Sequence, residues 1–324
     1  MRHTTMCKGL VLCLIFTILA GCAPPVTNEV TPLAAPEQAA TEQIPAEVPA
    51  TETPIPATAT LAPSPTPTEL PGRETYPIGS LNTGIPWLRS DSPRIPTIDF
   101  LGFKTNKPPF NNANTRKAFA AALDRAIILD LYNKYYPERK AYQATVLTPP
   151  NVLGRDLNGV IGIPYDVVMA KQYLVEAGYP GGANFPKVLF VVNYAPNAKV
   201  PAFRFKIAEE MARMWKANLG IDVQVKAYAN WKDYNNALRT DTPDIFWNGW
   251  QADMLDPDNF LRELFATGAS ANRSNFSDPA FDELVNDAAA NKIPAMRQVM
   301  YIEAERYLCE VAGAVYPLAY FDSQ

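Results

Sequence analysis

The sequence predicts an α/β domain with a mixed, largely parallel sheet flanked by helices, and three observations support this. Between residues 187 and 249, strand and helix patterns alternate, an order that favours parallel strands joined by right-handed crossovers. Apolar residues at helical spacing precede and follow this stretch. Residues 73–324 form a segment long enough to bury a sizeable core. We therefore expect residues 73–324 to form the folded domain.

Each element is predicted from its hydrophobic period and its terminating residues. In the segment 113–133, for example, Phe119, Leu123, Ile127 and Leu131 recur every four residues, which indicates one long helix. The predicted strands span 98–103, 187–194, 221–228, 244–249 and 315–321. The predicted helices span 113–133, 165–177, 201–219, 231–239, 257–266, 279–291 and 294–310.

Residues 1–22 have the pattern of a lipoprotein signal peptide. Arg2 and Lys8 provide the positive start, and the apolar run 10–20 is too short to span a bilayer comfortably. The run ends in Leu-Ala-Gly-Cys, which resembles a bacterial lipobox, so Cys22 is the expected lipidation site. The alternative is an ordinary signal peptide with an incidental cysteine. The lipoprotein interpretation predicts an anchor on the extracytoplasmic face of the cell envelope, in the periplasm or at the cell surface.

Residues 23–72 are rich in proline, threonine, alanine and glutamate, and too poor in bulky apolar residues to form a core. This composition predicts an extended, mostly disordered linker. With six glutamates and no basic residue, the linker has a formal charge of −6, whereas residues 73–324 are formally neutral. A neutral domain gives no electrostatic indication of nucleic-acid binding, so none is expected.

Histidine and cysteine usage argues against an enzyme. The only histidine, His3, lies in the signal peptide, so the exported chain cannot build a Ser-His or Cys-His pair and lacks the commonest zinc ligand. Cys309 is the only cysteine beyond Cys22, which excludes an internal disulfide; its apolar helical context predicts a buried side chain. We expect no cofactor and no metal.

The stretch GWQADMLDPDNFL, residues 249–261, contains the strongest candidate binding residue. Asp256 followed by Pro257 is typical of a helix N-cap with proline at the first helical position. Asp253 has no comparable structural role. An aspartate three residues after Trp250 could hold a ligand ammonium, with the indole as a cation–π surface.

Two other uses of these carboxylates are disfavoured. Asp253, Asp256 and Asp258 suggest a calcium loop, but Pro257 interrupts the required spacing and Asp256 is expected to cap a helix. A glycosidase needs a second carboxylate in a different environment, and the spacing provides no such residue.

Several segments, in order, resemble family 5 extracellular solute-binding proteins, the peptide-binding components of ABC importers. These segments are FLGFKTNKPPFNNANTRKAFAAALDRAII, YDVVMAKQYLVEAGYPGG, IDVQVKAYANWKDY, GWQADMLDPDNFL, NFSDPAFDELVNDA and VYPLAY. The resemblance implies a type II periplasmic-binding-protein-like fold. It also implies that residues 73–324 are a partial domain, mainly the second of the family's two lobes.

The resemblance further implies the site and the partners. Asp253 matches the residue that binds the α-amino group of a peptide, and Trp231 and Trp250 match aromatic positions lining the pocket. Trp247 lies at the expected sheet edge, and Tyr194, at the end of a strand, is a further candidate contact. The expected ligand is a peptide or similar small solute, delivered to an ABC permease, with a separate chain able to supply the missing lobe.

A different class of function stays open. A single lobe with an open cleft exposes an apolar face, so the chain could instead be a truncated surface interaction module, or a gene remnant, that docks on another protein.

Overall fold

A computed structural model describes residues 96–137, 139–149, 152, 162–194 and 202–321. The predictions for the signal peptide, for Cys22, for the linker and for the domain boundary at residue 73 lie outside these residues.

The described residues form a six-stranded mixed sheet in the order β2-β6-β1-β5-β3-β4. Its strands are β1 Thr97–Phe103, β2 Ala141–Gln143, β3 Val188–Asn193, β4 Val223–Tyr228, β5 Ile245–Gln251 and β6 Val315–Phe321. Strand β3 pairs in parallel with β4 and β5, whereas β1 is antiparallel to both β5 and β6, and β2 is antiparallel to β6. The mixed sheet is confirmed, but it is less parallel than predicted, because only the pairs of β3 with β4 and with β5 are parallel. The short strand β2 was not predicted.

Helices cover both faces of this sheet. They are α1 Ala113–Ala121, α2 Arg125–Tyr135, α3 Val167–Glu176, α4 Phe203–Leu219, α5 Trp231–Leu238, α6 Arg262–Phe265, α7 Pro279–Ala290 and α8 Pro294–Arg306. One buried apolar cluster joins α1 to α4 to the sheet, and a second joins α5 to α8 to the opposite face. Within the described ranges, no helix is long and apolar enough to cross a membrane.

Two predicted helices are broken in the structure, the first of them because Asp124 starts a new helix. The predicted helix 113–133 ends at Ala121, and Asp124 then caps α2 by accepting a hydrogen bond from the N–H of Ala126 at 2.9 Å. The predicted helix 257–266 is a short 3₁₀ turn, Pro257–Asn259, followed by α6. Its predicted cap is confirmed, because the Asp258 N–H donates to the Asp256 carboxylate at 2.9 Å.

The core includes the predicted buried thiol and one buried ammonium. Cys309 is 1% exposed, as its apolar context predicted. Lys104 is also 1% exposed, and its Nζ donates to the Leu238 carbonyl at 2.9 Å. Burial lowers the pKa of Lys104 from 10.5 to about 8, although the nearby charge of Asp241 opposes this shift.

The buried Lys104 predicts a pH-dependent stability difference from the Lys104→Met variant. Because the pKa of Lys104 is lower in the folded state, the folded chain loses this proton before the unfolded chain does as the pH rises from 8 to 10.5. The wild type should therefore gain stability relative to the variant across this range, by roughly 1 kcal/mol per pH unit at most. Urea unfolding of both proteins at pH 7, 8, 9 and 10 measures the difference. A constant difference would contradict the prediction.

Candidate functional site

Four of the five predicted site residues lie at the same edge of the sheet. Tyr194 directly follows β3, Trp231 begins α5 three residues after the end of β4, and Trp250 and Asp253 lie at and just beyond the end of β5. Strands β3, β4 and β5 are parallel, so their carboxyl ends share this edge. In α/β sheets, ligands bind in the crevice outside the carboxyl ends of the strands. The topology therefore collects four of the five predicted contact residues at a position suited to binding.

The loop after β5 presents the acid to solvent. Asp253 is exposed, and within the described part of the chain its carboxylate has no hydrogen bond or ion pair. Its backbone N–H donates to Asn259 Oδ1 at 3.0 Å, and the indole N–H of Trp250 donates to the same oxygen at 3.1 Å. Trp250 is half-buried. The loop thus holds an available carboxylate close to one partly exposed aromatic ring.

The other aromatic candidates on this edge differ in exposure. Trp231 is 58% exposed, and its ring lies 5.8 Å from that of Tyr234, which is fully buried. Tyr194 is half-buried, and its backbone N–H extends the pairing of β3 with β4 by donating to the Tyr228 carbonyl at 2.9 Å. The Trp231 ring is therefore largely accessible to a ligand, whereas the backbone of Tyr194 is fixed by its hydrogen bond within the sheet.

Trp247 does not lie on the surface of the site. It is 0% exposed, within the core between the sheet and helices α1 to α4. It differs from Trp250 because residues three apart on a strand point to opposite faces of a sheet. Its indole N–H donates to Asp99 Oδ2 at 3.0 Å. The prediction that Trp247 contacts the ligand is therefore wrong. Trp247 instead donates a hydrogen bond to a buried carboxylate below the site.

Asp99 is the centre of a buried polar network beneath the site. It is 3% exposed, and its carboxylate accepts from the Tyr132 hydroxyl at 2.9 Å and from the Trp247 indole. Arg204, on α4, donates to both carboxylate oxygens at 3.0 and 3.3 Å and to Asn193 Oδ1 at 2.8 Å. Gly249 lies opposite Asp99 in the register and leaves room for it, since a Cβ there would be 2.6 Å from Asp99 Oδ1.

This network shifts the ionisation of its members. Burial raises the pKa of Tyr132, and the Asp99 charge raises it further, so the phenol stays protonated and donates. Burial by itself would lower the pKa of Arg204, but the charge and hydrogen bonds of Asp99, together with Tyr132 and Tyr234, outweigh burial and raise the pKa. The network therefore holds a persistent buried ion pair with neutral donors around it.

A cleft of about 200 Å³ opens above this network. It is lined by Thr97, Asp99, Tyr136, Arg139, Phe203, Arg204, Gly249, Trp250, Gln251 and Phe321. The lining combines aromatic rings with guanidinium groups, and Arg139 lies 5.1 Å from the centre of the Phe321 ring. Such a lining suits a small group with an apolar body and a polar or anionic end.

The sequence reasoning missed Asp99 and Arg204. A signal for Asp99 was present, because it is the only charged residue in the apolar strand TIDFLGF. A charge in a buried strand requires a partner. Nothing in the sequence identifies that partner, since Arg204 lies 105 positions away and is brought close only by the packing of α4 on the sheet.

The carboxylates of the disfavoured calcium loop are occupied. Asp256 accepts two hydrogen bonds from Arg297 at 2.7 and 2.8 Å. Asp258 pairs with Arg262 at 2.5 Å and accepts from the Tyr301 hydroxyl at 2.9 Å. Burial by itself would raise the pKa of Asp256, but the hydrogen bonds from Arg297 and the Asp258 N–H, with the charges of Arg297 and Arg262, lower it. Neither carboxylate is available to a cation without breaking an ion pair.

The chain matches the model of a known protein family. The model of the bacterial extracellular solute-binding proteins, family 5 (Middle), matches residues 64–272, which is more than half of the chain. Heme-binding protein A of Haemophilus influenzae is 30% identical over 214 residues, covering 64% of this chain and 36% of that protein. The oligopeptide-binding protein OppA of Bacillus subtilis is 29% identical over 240 residues, covering 71% of this chain and 42% of OppA.

Solved structures agree with this match. The periplasmic oligopeptide-binding protein OppAIV of Borrelia burgdorferi superposes with a TM-score of 0.60 at 26% identity, over 71% of this chain and 44% of its own. The periplasmic binding protein DppA of Helicobacter pylori was solved with the peptide STSA. It superposes with a TM-score of 0.59 at 26% identity, over 71% of this chain and 44% of DppA. The chain thus spans about two fifths of the length of these relatives.

These matches confirm two predictions made from the sequence. The fold is that of a type II periplasmic binding protein of family 5, with a mixed sheet between helical layers. The matched family and its relatives are extracytoplasmic solute-binding proteins rather than enzymes.

Proposed function

Because the chain belongs to the bacterial extracellular solute-binding proteins of family 5, we propose that it binds peptides, or similar solutes bearing an amine, for an ABC importer. Relatives named as oligopeptide- and dipeptide-binding proteins support this ligand class. The matched length is a minority of each relative. In this proposal, a second lobe supplied by a separate chain would close over the site.

The observation that carries this proposal is the position of Asp253. Its carboxylate is exposed and, within the described residues, unpaired, on a loop that also fixes the half-buried Trp250. A ligand ammonium would form a charge-assisted hydrogen bond with Asp253. Trp250 and Trp231 would pack along the ligand backbone, with Tyr194 as a further contact at the end of β3.

The cleft beside Trp250 would take the part of the ligand that follows the amine. Its aromatic residues provide apolar contact, and Arg139 and Arg204 provide hydrogen-bond donors at its base. The charge of Arg204 is largely balanced by Asp99, at 3.0 Å. Selectivity in the cleft would therefore come from shape and hydrogen bonding as well as from charge.

We also propose the membrane arrangement that the N-terminal sequence predicts. Lipid on Cys22 would anchor the protein to the envelope, and residues 23–72 would act as a tether that lets the domain reach an ABC permease. Metabolic labelling with a fatty acid analogue, compared between the wild type and Cys22→Ala, tests the anchor. Equal labelling of both would refute it.

Calorimetric titration with a library of di- to pentapeptides tests the amine site. We expect Asp253→Asn to weaken the binding of free-amine peptides roughly tenfold or more, because a hydrogen bond to a charged group is lost. Binding of N-acetylated peptides should change little, since they carry no ammonium.

The matched control is Asp287→Asn, which changes an exposed carboxylate on α7 without altering the binding edge. It should bind peptides like the wild type. Equal affinity of the wild type for free and acetylated peptides, or unchanged binding in Asp253→Asn, would refute the amine site.

A second candidate is a surface module that docks on another protein. The side chains that favour it are Trp231, Met254 and Leu255, which are 58%, 57% and 64% exposed along the same edge. The titration separates the two functions. A measurable heat of binding with free-amine peptides supports solute binding. No heat of binding with any peptide in the library favours docking on another protein.

A further inference from the structure

Asn259 joins the two parts of the proposed amine site without reaching its surface. It is 3% exposed, at the end of the 3₁₀ turn Pro257–Asn259. A single atom, its carboxamide oxygen, accepts from the Trp250 indole at 3.1 Å and from the Asp253 backbone N–H at 3.0 Å. The aromatic ring and the acid are thereby held in one geometry by one buried acceptor.

The turn that carries Asn259 is itself fixed to the domain. Asp256 caps it and is held by two hydrogen bonds from Arg297 on α8, while Asp258 is held by Arg262 and Tyr301. At the other end of the loop, the Ala252 N–H donates to the Pro96 carbonyl at 3.0 Å. Between these attachments, Met254 and Leu255 are mostly exposed, so few apolar contacts restrain the loop.

We propose that Asn259 is a positioning residue for the amine site, and this inference rests on the proposed function. Without its oxygen, the Asp253 N–H and the Trp250 N–H lose their shared acceptor and the carboxylate can adopt many positions relative to the ring. The binding free energy then includes the unfavourable entropy of ordering the loop, a cost that a preformed site avoids. Asn259 acts through Asp253 and Trp250 and does not touch the ligand.

The test is a double-mutant cycle on the full chain, using the library peptide with a free amine that binds the wild type most tightly. Asn259→Ala should weaken its binding about tenfold. In an Asp253→Asn background the same change should weaken binding less than about twofold, because the carboxylate that Asn259 positions is already gone. Asn259→Asp keeps an oxygen acceptor of the same shape and should bind within about threefold of the wild type.

Asn272→Ala is the matched control for a loss of stability alone. The Asn272 carboxamide also joins a turn to the core, donating to the carbonyls of Phe265, Ala266 and Phe276, but in a different loop. This variant should lose stability and keep its peptide affinity. Equal affinities of Asn259→Ala and Asn272→Ala, or additive effects of Asn259→Ala and Asp253→Asn, would overturn the proposal.

A measurement without peptide separates this inference from the proposed function. In hydrogen-exchange NMR, the exchange rate of the Asp253 amide should be at least about tenfold higher in Asn259→Ala than in the wild type. In Asn272→Ala this rate should equal that of the wild type. If the wild type binds no peptide, the proposed function fails. The exchange rates then decide the positioning role: faster exchange in Asn259→Ala supports it, and unchanged exchange refutes it.

Discussion

Replacing Asp99 with alanine should lower the free energy of unfolding by about 3–5 kcal/mol, the usual cost of leaving one member of a buried ion pair without its partner. Arg204 would lose its counter-charge, and the Tyr132 and Trp247 donors would lose their acceptor. Urea unfolding followed by circular dichroism measures this loss. Because the network forms the base of the cleft, the variant should also lose the defined shape of the site.

A second substitution, at Arg204, shows whether Asp99→Ala is destabilised by the broken ion pair or by the lost volume of the Asp99 side chain. Arg204→Met removes the unpaired charge, so the double variant Asp99→Ala/Arg204→Met should be more stable than Asp99→Ala alone. A loss below about 1 kcal/mol in Asp99→Ala, or no recovery in the double variant, would show that Arg204 is well solvated in the folded protein.

Gly102→Ala should be the other strongly destabilising substitution, by about 3 kcal/mol or more. Gly102 lies opposite Phe246 in the pairing of β1 with β5, and a Cβ there would lie 2.1, 2.5 and 2.8 Å from three atoms of the Phe246 ring. Phe246 is 1% exposed, so the ring has no free space to enter. Overpacking of this kind forces shifts in the backbone or the rotamer. Thermal and urea unfolding both report the loss.

The controls for Gly102→Ala separate steric overlap from the general effect of losing a glycine. Gly178→Ala adds a methyl group where nothing lies within 4 Å, although φ is +91°, so its cost should be only about 1–2 kcal/mol of backbone strain. Gly102→Ala/Phe246→Leu shortens the opposing side chain and should recover part of the stability. If the two glycine variants are equally stable, steric overlap is not the cause.

Local chemistry explains which elements were predicted well. The strands 98–103 and 315–321 and the helix 279–291 were predicted within one residue of β1, β6 and α7, because their apolar period and their caps lie within each segment. The segment 113–133 was predicted as one helix rather than two because its apolar period continues through Asp124. The period does not reveal that Asp124 caps a new helix.

In the candidate site, too, some residues could be predicted from the local sequence and others could not. Asp253 and Trp250 were identified because both lie in one short motif, next to a cap whose role is readable from two adjacent residues. Trp247 lies in the same motif but is buried, a difference that depends on which face of β5 each residue occupies. The start of the strand and its register against β1 set that face, and both depend on the rest of the sheet.

By itself, the sequence determined the α/β class, the order of most elements, the absence of histidine beyond His3 and the choice of Asp253 as the candidate acid. Only the tertiary structure decided that Asp99 pairs with Arg204, that Trp247 supports this pair, and that Asn259 joins Trp250 to Asp253. The physical reason is the range of the interactions. Periodicity and capping act within a few residues, whereas a buried charge is satisfied by whichever donors the packed sheet and helices bring within about 3 Å.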